Sequence, residues 1–105
     1  MATTGWLYDV LRIGSWGTVT TNSDAAVTLT ADEINGGLIL LAGRGGAQTV
    51  ALPASGCDPG ASVLILADHA SVGSTNSITV DGTVTLTAQD QSAAMLWTGA
   101  RWVRL

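Results

Sequence analysis

Apolar and polar residues alternate along this chain in short blocks, not in helical periods. Brief runs rich in Val, Thr, Ile and Leu are separated by Gly, Asn, Asp and Pro, the pattern of strands joined by turns. Strands are predicted over residues 18–21, 26–30, 37–42, 49–52, 62–67, 77–80, 83–88, 93–98 and 101–105. Spacing this regular predicts an all-β domain, a small antiparallel β-sandwich or a barrel-like fold.

The predicted strands are of two kinds. "VTLTA" and "TVTLT" alternate strictly, so each should bury one face. "LILLA" and "VLILA" are continuously apolar, so both faces should be covered, by a second sheet, a neighbouring subunit or both. Two hairpins are legible. "WTGARW" sets Gly99-Ala100 between Trp-bearing strands, which suits a type II′ turn. "ITVDGTVTL" sets Asp81-Gly82 between alternating runs, but a two-residue loop would place the apolar residues on opposite faces. An odd loop or a bulge near Gly82 is therefore expected. "GRGGAQ" reads as a hairpin connection, and "ADEINGG" as a polar or short helical turn entering a strand.

The first seventeen residues break the pattern. Trp6, Leu7, Tyr8, Val10, Leu11, Ile13 and Trp16 crowd together without alternation, and Trp6, Val10 and Ile13 would share one face of a short helix. Residues 1–17 are accordingly expected to be an N-terminal docking arm and residues 18–105 the β domain. Asp9 within the apolar part and the lack of a basic leader argue against a signal peptide.

Composition sharpens this picture. The chain of 105 residues has room for one domain. It has no phenylalanine, and much of its apolar fraction is alanine. A lone subunit would have a thin core, so association is expected, since buried interfaces act like core. Four arginines, no lysine and a net charge of −4 argue against nucleic acid as a partner, because phosphate contacts need clustered cations. No apolar run approaches the ~20 residues of a membrane span.

Candidate chemistry is sparse. The single cysteine, Cys57, and single histidine, His69, lie near Asp58 and Asp68, but without the paired spacing of a metal site. A Cys–His nucleophile would also need an oxyanion hole and an orienting group, and nothing marks either. Gly56, Asp58, Pro59 and Gly60 read as a turn. "GRGGAQ" lacks the lysine of a phosphate loop. Asp24, Asp32 and Glu33 read as solvated loop acids. Neither catalytic residues nor metal ligands nor a cofactor are assigned. Trp97 and Trp102 raise glycan stacking as an alternative, against a reading in which at least one ring caps the core.

Residues 31–105 resemble a module of tailed-bacteriophage virion proteins. The resemblance rests on "LPASGCDPGASVLILAD", "NSITVDG" and the final hairpin "WTGARW", motifs made of turn residues more than reactive ones. It implies a non-enzymatic structural protein, often trimeric, found in tail fibres, head fibres or capsid decoration. A fibre module is expected within a long chain with stalk repeats, whereas a short chain starting at Met1 fits a stand-alone decoration (cement) protein. The expectation is thus a homo-trimer, made in the host cytoplasm, that binds the major capsid protein on the virion surface. Trp6, Leu7, Tyr8, Leu11 and Trp16 would make capsid or subunit contacts, with one face of "LILLA" and "VLILA" between subunits. The alternative is a fibre receptor- or glycan-binding module using Trp97 and Trp102.

Overall fold

A computed structural model describes residues 18–105; the expected docking arm lies outside the described residues. Among the described residues nine strands form, each within a few residues of its predicted position: β1 (Thr18–Asn22), β2 (Ala26–Thr28), β3 (Leu38–Ala42), β4 (Gln48–Ala51), β5 (Ser62–Ala67), β6 (Ile78–Val80), β7 (Val84–Leu86), β8 (Ser92–Trp97) and β9 (Trp102–Arg104). Among the same residues a short helix, α1 (Ala31–Asn35), lies between β2 and β3.

The strands build two facing sheets, a five-stranded one in the order β1-β3-β5-β8-β9 and a four-stranded one in the order β2-β4-β6-β7. From β1 to β6 the chain visits the sheets alternately, so three successive coils stack. β1, β3 and β5 are therefore parallel, as are β2, β4 and β6. Only β7, β8 and β9 pair antiparallel with their neighbours. The expected all-antiparallel arrangement is thus corrected to two mixed sheets, and neither closes into a barrel. Crossing between sheets at every turn brings the chain back parallel to itself without crossover helices, the more usual means of joining parallel strands.

In-phase alternation makes the stacking work. Val27, Val50, Val80 and Val84 stand opposite one another across all four strands of the smaller sheet, and all four are buried. Facing them, Leu38, Val63 and Met95 form one inward row of the larger sheet, and Leu40, Ile65 and Ala93 the next. Ile34 closes one end of this core from α1. That helix starts where Thr30 and Glu33 cap each other: the Glu33 N–H donates to Thr30 Oγ1 (3.3 Å) and the Thr30 N–H to Glu33 Oε1 (2.9 Å). Gly37, at φ +86°, turns the chain into β3.

"GRGGAQ" is not a hairpin. It is the corner by which the second coil crosses from β3 to β4, and its last residue is the buried polar side chain of the core. Gln48 Oε1 accepts from the Gly43 N–H (2.7 Å), and Nε2 donates to the carbonyls of Asn22 and Asp24 (2.9 Å each). One carboxamide thereby ties the corner of the first coil to that of the second. The third corner packs on the same spot. A Cβ at Gly43, whose φ is +119°, would sit 2.6 Å from His69 Cβ and 2.8 Å from Val72 Cγ2.

Both hairpin expectations hold in their essentials. Val80 pairs with Val84 across a three-residue loop, in which Asp81 (φ 51°) and Gly82 (φ 71°) make the turn and Thr83 is the extra residue that restores the apolar phase. In the last hairpin Trp97 pairs with Trp102. The Thr98 N–H donates to the Arg101 carbonyl across Gly99-Ala100 (3.0 Å), with Gly99 at φ +103°.

Replacing Gln48 with Leu keeps the volume but strands the Gly43 N–H and two carbonyls. A loss of about 2–3 kcal/mol is expected in urea denaturation, against less than about 0.5 kcal/mol for Thr28→Ala on the exposed face of β2. Gly43→Ala should be comparably damaging, because both its backbone and its neighbours oppose a side chain.

Candidate functional site

The reactive residue types are dispersed. Cys57 precedes β5 and His69 follows it, so the whole strand, about 20 Å long, separates them. Asp58 opens a turn in which the Ala61 N–H donates to its carbonyl (2.9 Å), with Pro59 and a left-handed Gly60 at the centre. The Asp58 N–H donates in turn to Asn35 Oδ1, while Asn35 Nδ2 donates to the Gly56 carbonyl, linking the first two coils at the end opposite Gln48. His69 Nδ1 accepts from the Ser71 N–H (3.0 Å) and serves its own loop. Arg44 donates to the carbonyls of Ser23 and Ala47, so "GRGGAQ" spends its cation on corner carbonyls. Asp32 and Glu33 lie exposed in the first turn of α1, and Asp24 is exposed in the first corner. Among the described residues no three His, Cys, Asp or Glu side chains converge as a metal site would require.

Two surfaces remain. The first is the outward face of the larger sheet. Its ladders carry Val19, Ile39, Leu64 and Ala94 in one row, Leu41 and Leu66 in the next, and Leu96 beside Val103 in a third. Val19 is 61% exposed and Leu105, beside Ala94, 42%; the residues on the inner strands are half-buried. The outward face of the smaller sheet differs in kind, with Thr49, Thr79 and Thr85 in its central row. Strict alternation in "VTLT" thus marks a wet face, and the continuous runs of β3 and β5 mark an apolar one.

The second surface is a cleft of about 220 Å³ between the bend at Pro53 and the β8–β9 hairpin. Trp97 points inward and is buried; Trp102 is half-buried against it, with ring centroids 5.4 Å apart and planes tilted by 55°. The Trp102 indole N–H donates to the Pro53 carbonyl (2.9 Å). Asp81 and Arg101 stand at the rim of the cleft, both exposed. The structure therefore places Trp97 and Trp102 together, as adjacent strand partners. Trp6, Leu7, Tyr8, Leu11 and Trp16 lie outside the described residues. Pro53 and Asp81 were not legible as neighbours of the tryptophans, because they arrive from other coils.

No protein-family model matches this chain, and no curated protein matches it significantly. Among the described residues no helix is long and apolar enough to cross a membrane.

Burial, and secondarily the Asp58 carboxylate, push the Cys57 thiol above its usual value. The folded state therefore holds this proton more tightly than the unfolded chain does. The group's contribution to stability is complete below about pH 8.5, the ordinary thiol value, and declines as pH rises beyond it. Urea midpoints should fall above about pH 9 in the native chain and fall less in Cys57→Ala. At neutral pH a thiol reagent should react slowly with the folded protein and quickly in denaturant.

Proposed function

We propose that this chain is a bacteriophage virion structural protein that decorates the capsid and stabilises it by non-covalent contacts across capsomers, acting as a homo-oligomer, most simply a trimer. The observation that carries the reading is the apolar outward face of the five-stranded sheet, set against a threonine-rich face on the other sheet. One-sided apolar exposure on a small β body suits a protein whose work is to be buried against other polypeptides. Each outward Leu or Ile that becomes fully covered adds to docking at about 25 cal/mol per Å² of apolar area removed from water, before association costs.

In this reading the body supplies the sheet face for subunit contacts, and residues 1–17, with Trp6, Leu7, Tyr8, Leu11 and Trp16, reach the major capsid protein. No bond is made or broken. The shell gains stability because expansion or rupture would have to re-expose the covered surface. The dispersal of Cys57, His69 and the carboxylates supports a mechanical role over a chemical one.

Undecorated shells mixed with the purified protein should bind it in co-sedimentation and dissociate at higher temperature. Leu64→Asp, in the middle of the outward face, should reduce the solution mass to that of a monomer and abolish the gain in shell stability. A chain lacking residues 1–17 should stay oligomeric but lose shell binding. Absence of co-sedimentation together with unchanged shell stability would sink the proposal.

A further inference from the structure

We infer that the open end of the coil stack is a pairing surface for a second copy of this chain, which joins its own first coil by antiparallel pairing of β1 with β1 and β2 with β2 about a twofold axis. The inference is separate from docking through the outward sheet face and does not rest on it.

β1 and β2 are the outermost strands of their sheets at the same end of the stack. Backbone groups alternate from side to side along a strand. The Thr18 N–H donates to the Gly37 carbonyl (3.1 Å), so Thr18 and Thr20 spend their backbone groups on β3, and those of Val19 and Thr21 point off the end. The Leu29 N–H donates to the Ala51 carbonyl (3.0 Å), so Val27, in the same phase, faces β4, and Ala26 and Thr28 point off the end. Among the described residues no strand takes these groups up. Val19, Thr21, Ala26 and Thr28 are all exposed.

The opposite end of the stack is blunted in the ways that keep sheet edges from associating. Its outermost strands, β7 and β9, are short. The Thr87 N–H beyond β7 donates to Gln91 Oε1 (2.7 Å), and β9 carries Arg104, whose guanidinium donates back to the Ser92 carbonyl (2.8 Å). β1 and β2 hold neither a charged residue nor a proline.

A second copy fits both strands at once. Thr20 and Val27 point inward, in register with Leu40 and Val50. About an axis through them, normal to the sheets, Val19 exchanges both hydrogen bonds with Thr21 of the second copy, and Ala26 with its Thr28. The buried row of Val84, Val80, Val50 and Val27 then runs on into Val27 of the second copy. On the outside, the row of Val19, Ile39 and Leu64 runs on into Leu41 and Leu66 of that copy. A head-to-tail stack would instead set this end against the blunted edges of β7 and β9, and it would not close. The junction covers little more than two strand edges, so a single contact is weak and gains when copies are already held close together.

The test uses the full chain carrying Leu64→Asp, which leaves the coil end as it is, as a mixture of isotope-labelled and unlabelled protein. Sedimentation should show a monomer at micromolar concentration and a dimer at about millimolar. The Val19, Thr21, Ala26 and Thr28 amides should become protected from solvent exchange together over that range. NMR should show an Hα–Hα contact between Thr20 of one copy and Thr20 of the other, because a residue on the axis faces itself at a non-hydrogen-bonded position. Val19→Pro removes one off-end donor and keeps every bond to β3; it should weaken dimerisation about tenfold with an unchanged urea midpoint at micromolar concentration. Thr28→Pro should do the same from β2. A monomer at every concentration, dimerisation untouched by both prolines, or a contact joining β1 to β9 would overturn the inference. So would Val19 and Thr21 amides protected at every dilution and released on deletion of residues 1–17, since the chain's own leading segment would then hold the edge. A Leu64→Asp chain that stays trimeric counts against the sheet-face reading, and the Thr20 contact still decides this one, so the two proposals fail separately.

Discussion

Three coils of chain can stack in register only if the corners between the sheets dispose of their backbone polar groups, and at one end that task falls to a single buried carboxamide. Gln48 accepts from the corner of its own coil and donates twice to the corner before it. A buried amide unable to find such partners would destabilise the core; satisfied, it rigidifies it and defines one arrangement. At the opposite end Asn35 does the same with the Gly56 carbonyl and the Asp58 N–H. The valine row of the smaller sheet and the Leu-Val-Met row of the larger one line up because these two clamps hold the coils level.

That stacking also divides the surface. Coils that alternate between sheets give each sheet an inward row of apolar residues, and the outward rows are then free to differ. In the smaller sheet they are threonines together with Ala26 and Ala51, content in water. In the larger sheet they are Ile39, Leu41, Leu64, Leu66 and Leu96, with Val19 at the edge strand. A protein with few bulky side chains has placed a good share of them facing away from its own core. Such placement lowers the stability of an isolated body and raises what it gains on association. The reading as an assembling virion component rests on this asymmetry.

The hairpin that ends the fold serves two ends at once. Trp97 completes the core, and its ladder partner Trp102 reaches across to Pro53 at the end of the second coil. The same contact that anchors the last strand closes one side of a small cleft, with Asp81 and Arg101 at its rim.

Strand existence was determined by the sequence alone. Period-two alternation and the turn chemistry of Asp81-Gly82 and Pro59-Gly60 are local signals, and local sterics and hydrogen bonds decide them. The phase mismatch around Gly82 by itself required an odd loop or a bulge there. Strand direction was not determined, because alternation reads the same in parallel and antiparallel pairs. "GRGGAQ" could turn back on its own sheet or cross to the other, and only the partners waiting at Asn22 and Asp24 favour crossing. The burial of Gln48 was not legible, because the carbonyls that make it tolerable lie more than twenty residues away. The cleft is likewise a product of tertiary structure, since Pro53, Asp81 and Arg101 come from three different turns and meet only when the coils are stacked.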